Sequence, residues 1–195
     1  MAALIEAARD TDYPAEIALV LSNDPAAAGL ERARAAGIAT AVIDHRAFGK
    51  DREAFERKLQ AELEAHRIDL VCLAGFMRLL GVEFVDAFPH AVLNIHPSLL
   101  PAFPGMDAQH QAWEHGVKVS GATVHFVTAD LDAGPIVLQQ PVAVAEDDTP
   151  DTLSARILAV EHQLYPEAIE RILDGHWRVE GRRVVFEQPP EDYEE

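Results

Sequence analysis

The chain has 195 residues, of which 49% are hydrophobic and 25% are charged, and its formal net charge is -17. This composition is typical of a single globular domain over residues 1–195, which is large enough to bury a core. The negative charge argues against nucleic acid as a partner, because it would repel the phosphates. The sequence has no run of about 18 apolar residues, so we expect no membrane partner. The single cysteine, Cys72, favours a reducing compartment. We therefore expect a cytoplasmic protein.

The first half of the chain alternates between helical and strand patterns. Phe55, Leu59 and Leu63 recur at helical spacing and predict one buried helix face. Residues 69–74 are an uninterrupted apolar run, typical of a strand covered on both faces, in which Cys72 is expected to be a buried, inert thiol. The predicted elements in chain order are an uncapped helix over 1–9, a strand over 16–21, a helix over 26–36 ending at Gly37, a strand over 38–43, a helix over 51–66 and a strand over 69–74. This alternation predicts a doubly wound α/β sheet.

The second half has a different pattern. A strand over 91–96 leads into a proline-rich loop, 97–105, and two strands, 121–127 and 135–141, are joined by a connection so short that we predict an antiparallel pair. A long helix from about Asp151 follows, in which Pro166 should cause a kink or a restart. The inner face of this helix should carry Leu153, Ile157, Val160 and Leu164.

The last residues should form a hairpin over 177–187, with its turn at Glu180-Gly181-Arg182. The acidic segment 187–195 is expected to be a solvated terminus rather than a binding element. No internal repeat and no linker divides the sequence.

Asn94 and His96 stand two residues apart at the end of the predicted strand 91–96, so they share one face at its carboxyl end. Open α/β sheets bind ligands at that end. An amide N–H and an imidazole can together stabilise a developing oxyanion and move a proton. An isolated Asn-x-His is more often structural than catalytic, but the stiff loop that follows loses little entropy on binding, which favours a functional site.

Two further segments carry candidate functional residues. Thr123 and His125 share a strand face, and Asp132 lies in the turn that follows. An Asp in a turn is usually a local cap, but near a strand-end His it can tune the charge of the imidazole. The segment 73–80 ends another strand, and its apolar side chains could either line a flat slot or pack in the core, while Arg78 could bind a carboxylate or be solvated.

At these residues the sequence resembles the folate-dependent formyltransferase family. The resemblance is carried by the string NIHPSLLP (94–101), by GATVHFV (121–127) and by DLDAGP (130–135), and it extends to AGFMR (74–78) and to Glu161-His162-x-x-Tyr165-Pro166. It covers nearly the whole chain. The resemblance implies a Rossmann-like sheet and an enzyme that transfers a formyl group from 10-formyltetrahydrofolate to the primary amine of glycinamide ribonucleotide in purine synthesis.

The resemblance also implies a role for individual residues. The implied catalytic residues are Asn94, His96 and Asp132. Thr123 and His125 would support them from behind, Glu161 would contact the acceptor nucleotide, and no metal is required. The implied contacts with the folate donor are Arg52 near its glutamate tail, and Met77, Arg78, Leu79, Leu80, Asn94, Thr128, Ala129, Asp130, Leu131 and Asp132. The peptide bond between Leu100 and Pro101 is expected to be cis.

The beginning of the chain departs from the family pattern. Formyltransferases of this kind open with a strand and a Gly-x-Gly-Ser-Asn loop that binds the phosphate of the acceptor at a helix N-terminus. Residues 1–5 correspond to the helix that follows that loop. A sequence truncated at its start, or a divergent protein that replaces the strand, would account for this, and we expect acceptor binding by residues 1–195 to be weak.

Three alternative functions remain open. A formyltetrahydrofolate deformylase has the same fold and uses water in place of the amine, although Pro97 after His96 favours the transferase. A formyltransferase acting on initiator methionyl-tRNA would be disfavoured by the negative charge. A non-catalytic folate-binding protein is the third. Small-molecule substrates are the expected partners, and a homodimer is possible.

Overall fold

The computed structural model describes residues 1–187, which form a mixed α/β structure with two compact units, Met1–Leu93 and a second unit that starts at Asn94. The elements of the first unit are α1 (Ala2–Ala7), β1 (Leu19–Ser22), α2 (Ala28–Ala35), β2 (Ala39–Val42), a 3-10 turn (His45–Phe48), α3 (Arg52–Ala65), β3 (Val71–Leu73) and α4 (Val82–Ala87). Strand β4 (Val92–His96) begins in the first unit and ends in the second. The second unit continues with α5 (Ala108–Glu114), β5 (Val119–Phe126), β6 (Ile136–Ala143), α6 (Pro150–Leu173), β7 (Trp177–Glu180) and β8 (Arg183–Phe186).

The first unit contains the predicted alternation of helices and strands. β1 and β2 pair in parallel, with Leu19 opposite Ala39. Helix α3 begins where the Asp51 carboxylate accepts a hydrogen bond from the Ala54 N–H at 2.9 Å, which satisfies one of the free N–H groups of the first turn. The predicted inner face of α3 is confirmed, since Phe55, Leu59 and Leu63 are all buried.

Strand β3 differs from the expectation. Its one neighbour in the sheet is β4, and the Val71 N–H donates to the carbonyl of Ala91, the residue before β4, at 2.8 Å. Its residues Val71, Cys72 and Leu73 are half-buried rather than buried. The prediction of a strand covered on both sides, with a fully buried thiol, was therefore wrong. The physical reason is its edge position, because within residues 1–187 no strand pairs with its other side.

The second unit is built on strands in the order β4-β5-β6-β8-β7. β5 and β6 are antiparallel, with Thr123 opposite Gln139, and β7 and β8 form the predicted C-terminal hairpin, while β8 runs parallel to β6. Both predicted antiparallel pairs are thus confirmed. Of the predicted acidic tail, residues 188–195 lie outside the described residues.

Helix α6 packs against β5 and β6. It begins at a capping box, in which the Thr149 hydroxyl accepts from the Thr152 N–H at 3.2 Å and the Thr152 hydroxyl accepts from the Thr149 N–H at 2.9 Å. The inner face is as predicted at Leu153, Ile157 and Leu164, which are buried, whereas Val160 is half-buried. The helix continues through Pro166 without a restart. Within residues 1–187, no helix is both long and apolar enough to cross a bilayer.

Candidate active site

The carboxyl end of β4 presents Asn94 and His96 on one face, because successive strand residues point to opposite sides. Asn94 is half-buried, and His96 is 5% exposed. Both side chains contact groups of the second unit that the sequence places far downstream. The structure therefore brings together, in one unit, the three predicted catalytic residues Asn94, His96 and Asp132.

The orientation of the Asn94 amide is set by His125. The Nδ1 atom of His125 lies 2.9 Å from the Phe126 carbonyl oxygen, which can only accept, so Nδ1 carries the proton. Burial lowers the pKa of His125, so the ring is neutral and its Nε2 has a free lone pair. The Asn94 Nδ2 atom lies 3.2 Å from that nitrogen and donates to it. One N–H of the Asn94 amide is thus used, and the other is available to a ligand.

A backbone carbonyl also fixes the ring of His96, but through Nε2 rather than Nδ1. Its Nε2 lies 2.8 Å from the carbonyl oxygen of Phe103, so Nε2–H donates to that oxygen. Its Nδ1 lies 3.4 Å from the Asp132 Oδ2 atom. Since Nε2 must carry a proton, Nδ1 of the neutral ring is an acceptor that faces an acceptor carboxylate. The pair is complementary when one further proton lies between Nδ1 and Oδ2.

Asp132 is fixed by the backbone around it. Its Oδ2 accepts from the Gly105 N–H at 2.7 Å, and its Oδ1 lies 3.8 Å from the His125 Nε2. The residue adopts φ 48°, a left-handed conformation that is uncommon for residues other than glycine. The turn closes at Gly134, where an added Cβ would overlap the Phe126 carbonyl oxygen. Only glycine therefore permits this close approach of the turn after Asp132 to the end of β5.

The arrangement can stabilise a developing negative charge and supply a proton beside it. The free N–H of Asn94 is a donor that does not titrate, and the proton between His96 and Asp132 can move to a reacting atom. Both carboxylate and imidazole are shielded, with side-chain exposures of 10% for Asp132 and 6% for His96. Low exposure strengthens such interactions because water screens them less.

The loop behind His96 is fastened to β5 and β6. The Thr123 hydroxyl, which is fully buried, donates to the Ser98 carbonyl at 2.7 Å and accepts from the Leu100 N–H at 3.0 Å. The Gln139 side chain donates to the Leu100 carbonyl at 2.8 Å and to the Thr123 hydroxyl at 2.9 Å. The Leu100–Pro101 peptide bond is cis, as expected. These contacts assign Thr123 to the support of the loop rather than to direct contact with His96.

The predicted donor contacts Arg52 and Arg78 lie in the first unit, against side chains of α3. The Arg52 Nε lies 3.4 Å from Oε1 of the buried Glu56, which also accepts from the Gly81 N–H at 2.9 Å. The Arg78 guanidinium lies 5.4 Å from the centre of the Phe55 ring.

The other predicted ligand contacts differ in exposure. Met77 and Leu79 are 80% and 54% exposed, which suits a ligand surface, whereas Leu80 is buried. In the second unit, Thr128 is half-buried and the exposed side chains are those of Ala129, Asp130 and Leu131.

Glu161, the predicted acceptor contact, is half-buried on α6, and burial raises the pKa of its carboxyl to about 7. Within residues 1–187, no group of three or more His, Cys, Asp and Glu side chains is arranged to hold a metal ion.

Sequence reasoning missed the groups that hold the candidate catalytic side chains in place. The Phe103 carbonyl and the Gly105 N–H belong to the backbone, so no residue type marks them. Ser98 and Gln139 have side chains that could have been noticed, Ser98 because it follows His96 by two residues in the motif and Gln139 because it lies opposite Thr123 on β6.

Comparison with known proteins indicates the family of this chain. Residues 1–169 match the formyl transferase family. The chain is 48% identical over 173 residues to the human trifunctional purine biosynthetic protein adenosine-3, covering 89% of this chain but 17% of that protein, so it spans about a sixth of the length of this relative. It is 41% identical over 198 residues to the phosphoribosylglycinamide formyltransferase of Escherichia coli, covering 98% of this chain and 91% of that enzyme.

Solved structures show the same relationship. A glycinamide ribonucleotide transformylase 1 from Symbiobacterium toebii superposes with a TM-score of 0.92 at 52% identity, covering 95% of this chain and 87% of that one. A formyltetrahydrofolate deformylase from Pseudomonas syringae has a TM-score of 0.83 at 29% identity, covering 96% of this chain and 61% of that one. The predicted Rossmann-like α/β fold is thereby confirmed, and this chain belongs to the formyl transferase family.

Proposed function

We propose that this chain transfers the formyl group of 10-formyltetrahydrofolate to the primary amine of glycinamide ribonucleotide. The observation that supports this most directly is the cluster of Asn94, His96, Asp132 and His125 in the second unit. Its donors are arranged for an acyl-transfer intermediate, and both the E. coli relative and the S. toebii structure bear names of enzymes with this activity. We further propose that residues 1–195 act as a single formyltransferase domain of the cytoplasm.

In the proposed reaction the amine nitrogen attacks the formyl carbon, and the carbonyl π electrons move to oxygen. The free N–H of Asn94 donates to the resulting oxyanion, and the proton held between His96 Nδ1 and Asp132 stabilises it from the other side. The attacking nitrogen, now cationic, loses a proton to Asp132, directly or through one water. The bond from carbon to the folate nitrogen then breaks, and that nitrogen takes up the proton that Asp132 received, directly or through one water, as the formyl carbonyl is restored.

The remaining site assignments rest on the family resemblance. We propose Glu161 as a contact to the acceptor, and Arg52, Met77–Leu80 and Thr128–Leu131 as contacts to the donor. The exposure of Met77, Leu79 and Leu131 is compatible with a role in binding a flat apolar ring. His125 and Thr123 act behind the catalytic residues, His125 by orienting the Asn94 amide and Thr123 by holding the loop.

The test is the rate of donor consumption with and without glycinamide ribonucleotide, in the wild type and in Asn94→Ala and His96→Ala. We expect acceptor-dependent turnover, and a loss of about 10²–10³ in kcat for each variant, as for other oxyanion donors. His110→Ala is the matched control because His110 is an exposed histidine on α5, and its rate should be unchanged. Donor loss that does not need the acceptor would instead indicate a deformylase, and folate binding without turnover would indicate a binding protein.

A further inference from the structure

The hydroxyl of Ser98 braces the loop segment that holds the His96 ring. Ser98 is completely buried, and its Oγ donates to the Ala102 carbonyl at 2.5 Å and lies 3.3 Å from the Phe103 carbonyl oxygen. The Phe103 oxygen is the acceptor for His96 Nε2–H. A serine two residues after His96 therefore closes a short ring of contacts that returns to His96 itself.

The backbone at Phe103 needs this support. Its φ is 52°, a left-handed conformation that is uncommon and unfavourable for a residue with a Cβ. Such conformations persist only where the surroundings hold them. The contacts that hold this one are the Ser98 hydroxyl at Ala102 and Phe103, the His96 N–H, and the packing of the Phe103 ring against His115, whose ring centre lies 5.4 Å away.

We infer that Ser98 is a positioning residue for catalysis, which keeps the Phe103 carbonyl on His96 Nε2–H and so leaves Nδ1 as the nitrogen that exchanges a proton beside Asp132. This inference rests on the proposed function for its effect on rate, but not for its effect on the imidazole. Without the hydroxyl, the loop loses its tie at Ala102 and Phe103 is free to relax to negative φ. The carbonyl then leaves Nε2, and the neutral ring is no longer restricted to the Nε2–H tautomer.

Burial of a serine does not by itself create such a contact. Ser120 on β5 lies in the same unit and is 2% exposed, but its hydroxyl has no hydrogen-bond partner within residues 1–187. Ser120→Ala thus removes the same oxygen from an equally buried site without touching the His96 loop. It is the matched control for Ser98→Ala.

The experiment compares Ser98→Ala, Ser98→Cys and Ser120→Ala in the full chain by two measurements. The first is the ¹⁵N spectrum of histidine-labelled protein at pH values where the imidazole is neutral, with the His96 signals assigned by their loss in His96→Gln. The second is kcat and the KM for 10-formyltetrahydrofolate. Ser98→Cys keeps the volume of the side chain but replaces the hydroxyl by a weak donor, so it reports on the bond if Ser98→Ala does not fold.

We expect the wild type and Ser120→Ala to show His96 as the Nε2–H tautomer, and both Ser98 variants to show a mixture of tautomers. The kcat of the Ser98 variants should fall about tenfold with an unchanged donor KM, since a misplaced catalytic group costs rate rather than binding. An unaltered tautomer in a folded Ser98 variant would overturn the inference, as would a kcat within about twofold of wild type. If the wild type has no transferase activity, the spectra alone decide the positioning role, and the proposed function fails separately.

Discussion

The strongest stability prediction concerns Thr123→Val, which removes one buried hydroxyl at nearly constant volume. That hydroxyl is the shared partner of three groups, the Ser98 carbonyl, the Leu100 N–H and the Gln139 side chain. Thr123 and Ser98 are 0% exposed and Leu100 is 3% exposed, so water cannot replace the lost contacts without a movement of the loop.

The size of the effect follows from which partners are left unpaired. The Ser98 carbonyl and the Leu100 N–H each lose a partner inside the protein, at about 1–3 kcal/mol per group. The Gln139 side chain belongs to an exposed residue and keeps its bond to the Leu100 carbonyl at 2.8 Å, so its cost is small. We therefore expect the free energy of unfolding to fall by about 2–6 kcal/mol.

Urea unfolding of the full chain, followed by circular dichroism, measures this change. Thr123→Ser keeps the hydroxyl and loses only a methyl group, so its cost should be about 1 kcal/mol. Thr128→Val is the control for stability, because the Thr128 hydroxyl makes one long bond of 3.3 Å to Asp130 in an exposed turn. A Thr123→Val protein within about 0.5 kcal/mol of wild type would refute the reasoning, because surface changes alone account for such values.

Three further predictions concern titration and backbone geometry. Glu161→Gln should raise the free energy of unfolding by roughly 1–3 kcal/mol at pH 8 and hardly at pH 4. The reason is that the pKa of the folded carboxyl is raised to about 7, so the wild type loses stability as the pH rises from about 4.5. Equal effects at both pH values in urea titrations would contradict this prediction. Burial lowers the pKa of His125, so only the unfolded state takes up a proton at this residue as the pH falls below about 6.5. The loss of stability between pH 7 and pH 5 should therefore be smaller in His125→Asn than in the wild type. An unchanged slope of the free energy of unfolding against pH would count against this prediction. Gly134→Ala should lower the free energy of unfolding by about 3 kcal/mol or more, because the new Cβ would overlap the Phe126 carbonyl oxygen. Gly116 has φ 66° and open space around it, so Gly116→Ala should lower the free energy of unfolding by about 1 kcal/mol. Thermal melts of the two variants measure the difference.

Much of the framework was predictable because it is local. The periodicity of Phe55, Leu59 and Leu63 predicted helix α3, and the short connection between two strand patterns predicted the antiparallel pair β5 and β6. The two short helices α4 and α5 were not predicted, since segments of six and seven residues carry too few turns for a clear period. The exposure of β3 was also missed, because the position of a strand in its sheet depends on which other strands pair with it and not on its own residues.

In the candidate site, too, the local features were predictable and those that depend on tertiary contacts were not. Alternation along β4 was enough to place Asn94 and His96 on one face, and the motif resemblance added Asp132. No pattern indicated that Asp132 would be carried to His96 by a left-handed backbone and a glycine that approaches the Phe126 carbonyl. Close approaches of this kind depend on the path of two chain segments, so sequence periodicity does not record them.

The sequence by itself determined which chemical groups this protein has at the end of β4 and in the turn before β6, and which family they resemble. Only the tertiary structure decided how those groups are protonated and oriented. His96 is fixed by the Phe103 carbonyl and Asn94 by His125, which is itself fixed by the Phe126 carbonyl. Every amino acid except proline has the same backbone donor and acceptor, so the identity of the residues cannot show which carbonyl a folded loop will bring to an imidazole.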